Sequence, residues 1–205
     1  MEIRATLKNE YLIKVRDANT GVTKGEYKAH NVITRQMLEY LYSRSKYAYI
    51  AVGTGTGTPS FDRTSLFNYS DRYATSMEGD LIEVDENTFG QQYTARIPAN
   101  ALVGQSLTEL GLSTNSTAGV TTHAMITDSE GNQIAIEKTE QDIIDLYVTL
   151  YMTFPQPTEG ADPIIDKRQM AINFLRQTYS SYSPNIHLRR YAEVIDGKVI
   201  VYGDS

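Results

Sequence analysis

The sequence predicts a mainly β chain: an antiparallel β-sandwich with one short helix inserted and a C-terminal helix-plus-hairpin extension. Three observations carry that expectation. Residues 144–154 alternate without a break. Ile144, Leu146, Val148, Leu150, Met152 and Phe154 fall on one side, and Asp145, Tyr147, Thr149, Tyr151 and Thr153 on the other, the period-2 pattern of a half-buried strand. Turn residues recur between such runs, as in Asp17-Ala-Asn-Thr-Gly21, Asp128-Ser-Glu-Gly-Asn132 and Asp196-Gly197. Tyr is abundant, with 15 copies against 5 Phe and no Trp, and its ring with a polar tip suits strands and half-buried faces.

Along the chain, residues 2–33 read as a β-meander turning at Gly21. Thr34 is a plausible helix cap, and Met37, Leu38, Leu41 and Tyr42 follow at helical spacing, so a short helix is expected up to about residue 45. Tyr47 to Val52 reads as a buried strand. Residues 53–60, Gly-Thr-Gly-Thr-Gly-Thr-Pro-Ser, offer no apolar side chain to bury, and 61–80 read as a long irregular connection. Strands return over 81–154. Here Glu83 and Asp85 alternate with Ile82 and Val84, and Leu107, Glu109 and Gly111 with Thr108, Leu110 and Leu112. Pro155, Pro157 and Pro163 with Gly160 mark a linker. Met170, Ile172, Phe174 and Leu175 suggest a short helix, and 186–192 pairs with 198–202 through a type I′ turn. The domains expected are therefore a β-sandwich at 1–154 and a Pro-linked arm at 155–205. The arm could pack on its own sandwich or on a neighbouring subunit.

Composition narrows the function. The chain has 205 residues, 40% hydrophobic and 21% charged, with a net charge of −6. Arg189-Arg190 is the one adjacent basic pair, far short of a phosphate track, so a dedicated nucleic-acid binder is not expected. There is no Cys, hence no disulfide framework and no thiolate metal site. The N-terminal segment lacks the apolar core of a signal peptide. No run approaches the ~18 apolar residues of a membrane helix, so membrane insertion is not expected either.

Candidate chemistry is thin. The glycines at 53–57 could turn backbone N–H groups towards an anion. A phosphate loop, however, needs Gly-Lys-Ser/Thr opening a helix, and Pro59-Ser60 follow instead; a tight or flexible connection is the better reading. His30, His123 and His187 lie on separate expected strands without zinc spacing, and His123 reads as a surface or inter-strand residue. Asp80, Glu83, Asp85 and Glu86 read as a solvated sheet edge rather than a glycosidase pair. Asp128 and Glu130 belong to a turn, not to a full calcium loop. Tyr69 and Tyr73 with Asp71 and Arg72 are the one local candidate for stacking on a sugar. No residue is read as catalytic, as metal-ligating or as binding a cofactor, so no enzyme is expected.

Three stretches together resemble bacteriophage virion structural proteins of the tail-fibre or baseplate-appendage type. They are VRDANTGVTKGEYKAHNVIT (15–34), IAVGTGTGTPSFDRTSLF (50–67), and LTELGLST (107–114) followed by ITDSEGNQIA (126–135) and DLYVTLYMTF (145–154). This chain departs from the pattern at Arg63, between Asp62 and Thr64, and at the Ser-Glu inserted before Gly131; residues 155–205 match nothing in it. The resemblance implies a non-enzymatic part of a phage particle that assembles in the bacterial cytoplasm and binds other virion proteins, commonly as a homo-oligomer, a trimer or a ring. Capsid decoration or a head-to-tail collar is the runner-up, and a host-surface glycan adhesin the third reading. The contact residues expected are Gly53, Gly55, Gly57, Pro59 and Phe61 in the loop, Tyr147 and Tyr151 on the long strand, and Phe174 and Tyr191 in the arm.

Overall fold

A computed structural model of the chain describes residues 2–37, 47–114, 119–155, 167–176, 187–195 and 198–204. The expected mainly β, antiparallel character holds. Thirteen strands are described: β1 (Glu2–Asp17), β2 (Thr23–Ile33), β3 (Tyr49–Gly53), β4 (Tyr69–Ala74), β5 (Ser76–Glu83), β6 (Thr88–Ile97), β7 (Ser106–Leu107), β8 (Glu109–Ser113), β9 (Thr122–Thr127), β10 (Ile136–Glu137), β11 (Asp142–Thr153), β12 (His187–Ile195) and β13 (Lys198–Asp204), with helix α1 at Lys167–Leu175. Eleven strands share one sheet, in the order β4-β3-β8-β9-β2-β1-β11-β6-β5, with β13 on β1 and β12 on β13; β7 and β10 form a separate pair. The pairing thus joins one large sheet and does not by itself divide it into two facing ones.

The chain falls into two compact units. The larger comprises Asn9–Glu78 and Tyr93–Thr149. In it β1 and β2 pair antiparallel from Tyr11↔Ala29 to Arg16↔Thr23, with a bulge at Val15/Arg16. β2 continues onto β9, β9 onto β8 and β8 onto β3, all antiparallel. Its core holds Ile13, Ile50, Leu110, Leu112, Ala124 and Val148. β8 and β9 are buried along their whole lengths. The turn at Asp17–Gly21 forms as expected: the Asp17 carboxylate accepts from the N–H groups of Asn19 and Thr20, and Gly21 takes φ +73°.

The smaller unit comprises Met1–Lys8, Gly79–Gln92 and Leu150–Ser205. The expected arm lies in it, with the ends of strands from the expected sandwich. β12 and β13 pair antiparallel as expected, from Ile195↔Lys198 to Tyr191↔Tyr202, and the Asp196-Gly197 turn expected between them lies outside the described residues. Its last strand returns to the chain's own first strand, from Glu2↔Asp204 to Leu7↔Val199. α1 buries Met170, Ala171, Phe174 and Leu175.

Two expectations need correction. Residues 61–80 are not an irregular connection throughout: β4 and the start of β5 lie there. Tyr69, Ser70, Arg72 and Tyr73, all half-buried, with exposed Asp71 and Ala74, make a strand without the apolar run that usually announces one. β11 is the long alternating strand expected, but it sits between β1 and β6. Flanked by strands on both sides, it can offer Tyr147 and Tyr151 only from a sheet face, not along an edge. Residues 35–37 begin a helical turn after Thr34; the rest of the helix expected up to residue 45, and the Pro linker beyond Pro155, lie outside the described residues.

Candidate functional site

β3 ends at Gly53, and the chain passes through the Gly-Thr loop before β4 begins at Tyr69. Beside Gly53 in the sheet stands Glu109, the first residue of β8. Its side chain is completely buried. One carboxylate oxygen, Oε1, accepts the N–H of Gly55 at 2.9 Å and of Asn68 at 2.7 Å. The other, Oε2, accepts the N–H of Phe67 at 2.8 Å and Nε2 of His123 at 2.7 Å. The glycine-rich segment turns one N–H, that of Gly55, towards an anion, and the anion is the protein's own. One buried side chain pins both limbs of the loop.

The glycines are explained by that closeness. A Cβ on Gly53 would lie 2.4 Å from the Asn68 carbonyl oxygen and 2.6 Å from Glu109 Oε1. On Gly55 it would lie 2.3 Å from Phe67 Cβ and 2.5 Å from Oε1. Neither distance leaves room for a methyl group.

An ionised carboxylate only accepts, so His123 Nε2 carries the proton and donates. Its Nδ1 is buried without a hydrogen-bond partner. The His123 ring lies 4.9 Å from that of Phe67, and the Arg63 guanidinium sits 3.9 Å from the Phe67 centroid. His123 is therefore inter-strand, between β9 and β8, and not at the surface. Burial pushes the Glu109 carboxyl up; the hydrogen bond from His123 and the N–H groups of Asn68, Phe67 and Gly55 outweigh burial and hold it below the usual carboxylate value. Four donors and complete burial leave the carboxylate a structural acceptor, saturated where it stands.

Four stretches distant in sequence close on this loop. Thr108 donates its N–H to Gly53 O at 3.0 Å and its hydroxyl to Gly55 O at 2.5 Å. Arg35, after the His-Asn-Val-Ile-Thr strand, gives its N–H to Phe61 O at 2.6 Å and pairs its guanidinium with Asp62. Gln133, from the 128–132 hairpin, donates to Gly57 O at 3.0 Å. Val120 N–H donates to Thr64 O at 3.0 Å. The loop's outer side follows a simple alternation. Thr56, Thr58, Ser60, Asp62 and Thr64 are exposed, while Gly57, Pro59, Phe61 and Arg63 between them are half-buried.

This reassigns the expected contact residues. Gly53 and Gly55 are buried over the carboxylate, and Gly57, Pro59 and Phe61 form the inward series. The hydroxyl-bearing residues between them form the exposed face. Tyr147 and Tyr151 are half-buried on β11, with the Tyr151 ring 2.9 Å from where a Cβ on Gly90 would stand. Phe174 is a core residue of α1 and offers no surface. Tyr191 lies on β12, opposite Tyr202. The sugar-stacking candidate is not an open platform. Tyr69 packs against Ala51, Leu66 and Val120, Tyr73 is half-buried, and Arg72, one position off, lies 4.5 Å over the Tyr49 ring. Glu83 pairs with Arg168 at 2.6 Å. Asp128 accepts from the N–H groups of Glu130 and Asn132 within its own turn.

Glu109 and His123 are the residues that sequence reasoning missed as a pair. The alternation at 107–112 places Glu109 on a strand and does not mark it as buried, yet every residue of β8 is buried. The available signal was a Glu between Leu107 and Leu110 in a stretch with no other charge from Gln105 to Thr122.

Among the described residues, no three His, Asp or Glu side chains lie close enough together to hold a metal ion, and no helix is long and apolar enough to cross a membrane. No family model, curated protein or solved structure matches the chain.

Proposed function

We propose that the chain is a non-enzymatic structural component of a bacteriophage particle, tail- or baseplate-associated, and that it presents the anchored loop 53–68 to another virion protein. One observation carries this reading. Two of the separate stretches that resemble phage appendage proteins, 107–114 and 126–135, are tied to the same loop through Thr108, Glu109 and Gln133, and Arg35, directly after a third, joins it as well. A motif set scattered over about a hundred residues makes physical sense if its common product is one rigid surface feature.

The energetics fit a contact loop. A loop held on both limbs by a buried carboxylate loses little freedom on binding, so less of the contact energy goes into ordering it. Its exposed side carries hydroxyls and one carboxylate rather than apolar side chains, which suits a polar, water-bridged contact repeated around a particle.

The test is to purify particles on a density gradient from the culture that produces the protein, and to look for the chain by peptide mass spectrometry and immunogold labelling. The expected result is a fixed ratio to the major virion proteins, with label at the tail end. Label on the head would move the assignment to a decoration or collar protein. A chain found only in the soluble fraction would remove the proposal.

A further inference from the structure

We propose that Lys167 and Asn87 are set to form an intramolecular isopeptide cross-link, with the Glu86 carboxylate carrying the proton. This inference rests on side chains of the smaller unit alone and stands apart from the particle assignment.

Asn87 occupies the turn between β5 and β6, closed by the Val84 N–H donating to Thr88 O at 2.9 Å. It is only 4% exposed, and its backbone is fixed on two sides. Its N–H donates to Asp85 Oδ1 at 2.8 Å, and its carbonyl accepts the Phe154 N–H at 2.9 Å. The side-chain amide is held equally firmly. Oδ1 accepts the Lys167 ammonium, and Nδ2 donates to Glu86 Oε1 at 3.2 Å. The amine therefore stands at the amide oxygen, one bond from the amide carbon, and a carboxylate touches the nitrogen that would leave.

Lys167 is delivered by a fixed element. It is the first residue of α1, whose Met170, Ala171, Phe174 and Leu175 are buried, and its neighbour Arg168 pairs with Glu83 at 2.6 Å. Phe89 and Phe154, both buried, stack edge to face 6.2 Å apart, one two residues from Asn87 and the other bonded to its carbonyl.

A lysine hydrogen-bonded to an asparagine is ordinary. A carboxylate on the amide nitrogen, with the amide buried and the lysine delivered by a packed helix, is the arrangement a transamidation needs, because proximity supplies much of the rate. In the step, hydroxide of the mildly alkaline solution takes one proton from the Lys167 ammonium, and the lone pair so freed on Nζ adds to Asn87 Cγ. The proton lost by Nζ passes through the Glu86 carboxylate to Nδ2. The Cγ–Nδ2 bond breaks, ammonia leaves, and an amide joins Nζ to Cγ. No oxidant and no cofactor is consumed. The bond would tie together residues 80 positions apart in a chain that has no cysteine with which to do so, restricting the unfolded chain as a disulfide does.

Intact-mass measurement of the full-length chain, aged at mildly alkaline pH, tests the proposal directly. The expected mass is lower by one ammonia, and digestion should give a branched peptide joining the segments around 87 and 167. Lys167→Arg should keep the full mass, as should wild-type chain aged in concentrated urea. Glu86→Gln, an exposed position that should leave folding intact, should slow the reaction at least tenfold. A folded wild-type chain that keeps its full mass would overturn the proposal. So would loss of ammonia with only linear peptides, because that outcome means a succinimide at Asn87. Unchanged kinetics in Glu86→Gln would overturn the assigned role of that carboxylate.

Discussion

Glu109 and Asp128 each hold a loop by accepting backbone N–H groups, and they do so in opposite surroundings. Glu109 is buried, and its donors Gly55, Phe67 and Asn68 lie 54, 42 and 41 residues away. Asp128 stands in an exposed turn, and its donors Glu130 and Asn132 lie two and four residues on. Both carboxyls are held below their usual values, Glu109 against the opposing push of burial and Asp128 chiefly by the Asn132 amide and N–H. Water can replace Asp128 as a partner for its donors. Around the buried Glu109 carboxylate, with Gly55 and His123 buried beside it, water has far less access, so each hydrogen bond carries more weight there than in the exposed turn.

The largest effect expected is that of Glu109→Ala. The Gly55 N–H and His123 Nε2 would be left buried and unpaired, and the N–H groups of half-buried Phe67 and exposed Asn68 would lose their acceptor. At roughly 1–3 kcal/mol for each such group, partly relieved by local opening, we expect a loss of about 4 kcal/mol or more in urea unfolding of the larger unit. Hydrogen exchange at Gly55, Phe67 and Asn68 should rise together. If those amides stay protected, the loop is held by its other contacts and the latch has been overvalued.

Gly55→Ala approaches the same latch from the loop side. The added methyl would meet Phe67 Cβ and the carboxylate at distances no packed Cβ tolerates. The expected cost is about 2 kcal/mol, typical of forced overpacking, again with rising exchange at Phe67 and Asn68. An Ala at 55 that leaves stability unchanged would mean that the glycines serve flexibility rather than closeness.

Acid should separate the two carboxylates in a graded way. A carboxyl whose folded pKa lies below its ordinary value contributes stability that is complete above that value and is lost as pH falls through the folded one. For Glu109 the ordinary value is 4.5. Stability of the larger unit should therefore fall as pH drops below 4.5, and Glu109→Gln should show a flatter fall over that interval, because Gln cannot be protonated. Equal slopes in wild type and variant would show that the buried carboxyl is not held low.

The comparison also explains what could be read from the sequence and what could not. The Asp128 turn, the Gly21 turn and the β12–β13 pairing were legible because each is decided by residues within a few positions of one another. The facing of β11 was legible because alternation is a local signal. Glu109 was not, because a glutamate in an alternating run looks solvated unless its distant donors are known. β4 was hidden for a related reason: Tyr69, Asp71 and Tyr73 make a strand by pairing with Gly53, Val52 and Ile50, and their own composition names no element. The glycines at 53 and 55 were visible as special positions, but their reason, a carboxylate 2.6 and 2.5 Å from the missing Cβ, lies on another strand.

The smallest effect expected is at Asp128. Its donors can turn to water, and the hairpin keeps two contacts of its own, Asp128 N–H to Asn132 O at 3.0 Å and Ile134 N–H to Ile126 O at 3.0 Å. Asp128→Ala should leave the unfolding midpoint close to wild type while raising exchange at Glu130 and Asn132 alone. Asp128→Asn, which keeps an acceptor oxygen, should restore most of that protection. The loop latch gives this test its edge, because Gln133 reaches from the same hairpin to Gly57 O. If Asp128→Ala also loosens Gly55 and Asn68, the hairpin and the loop form one cooperative unit, and the division between a local and a long-range carboxylate fails.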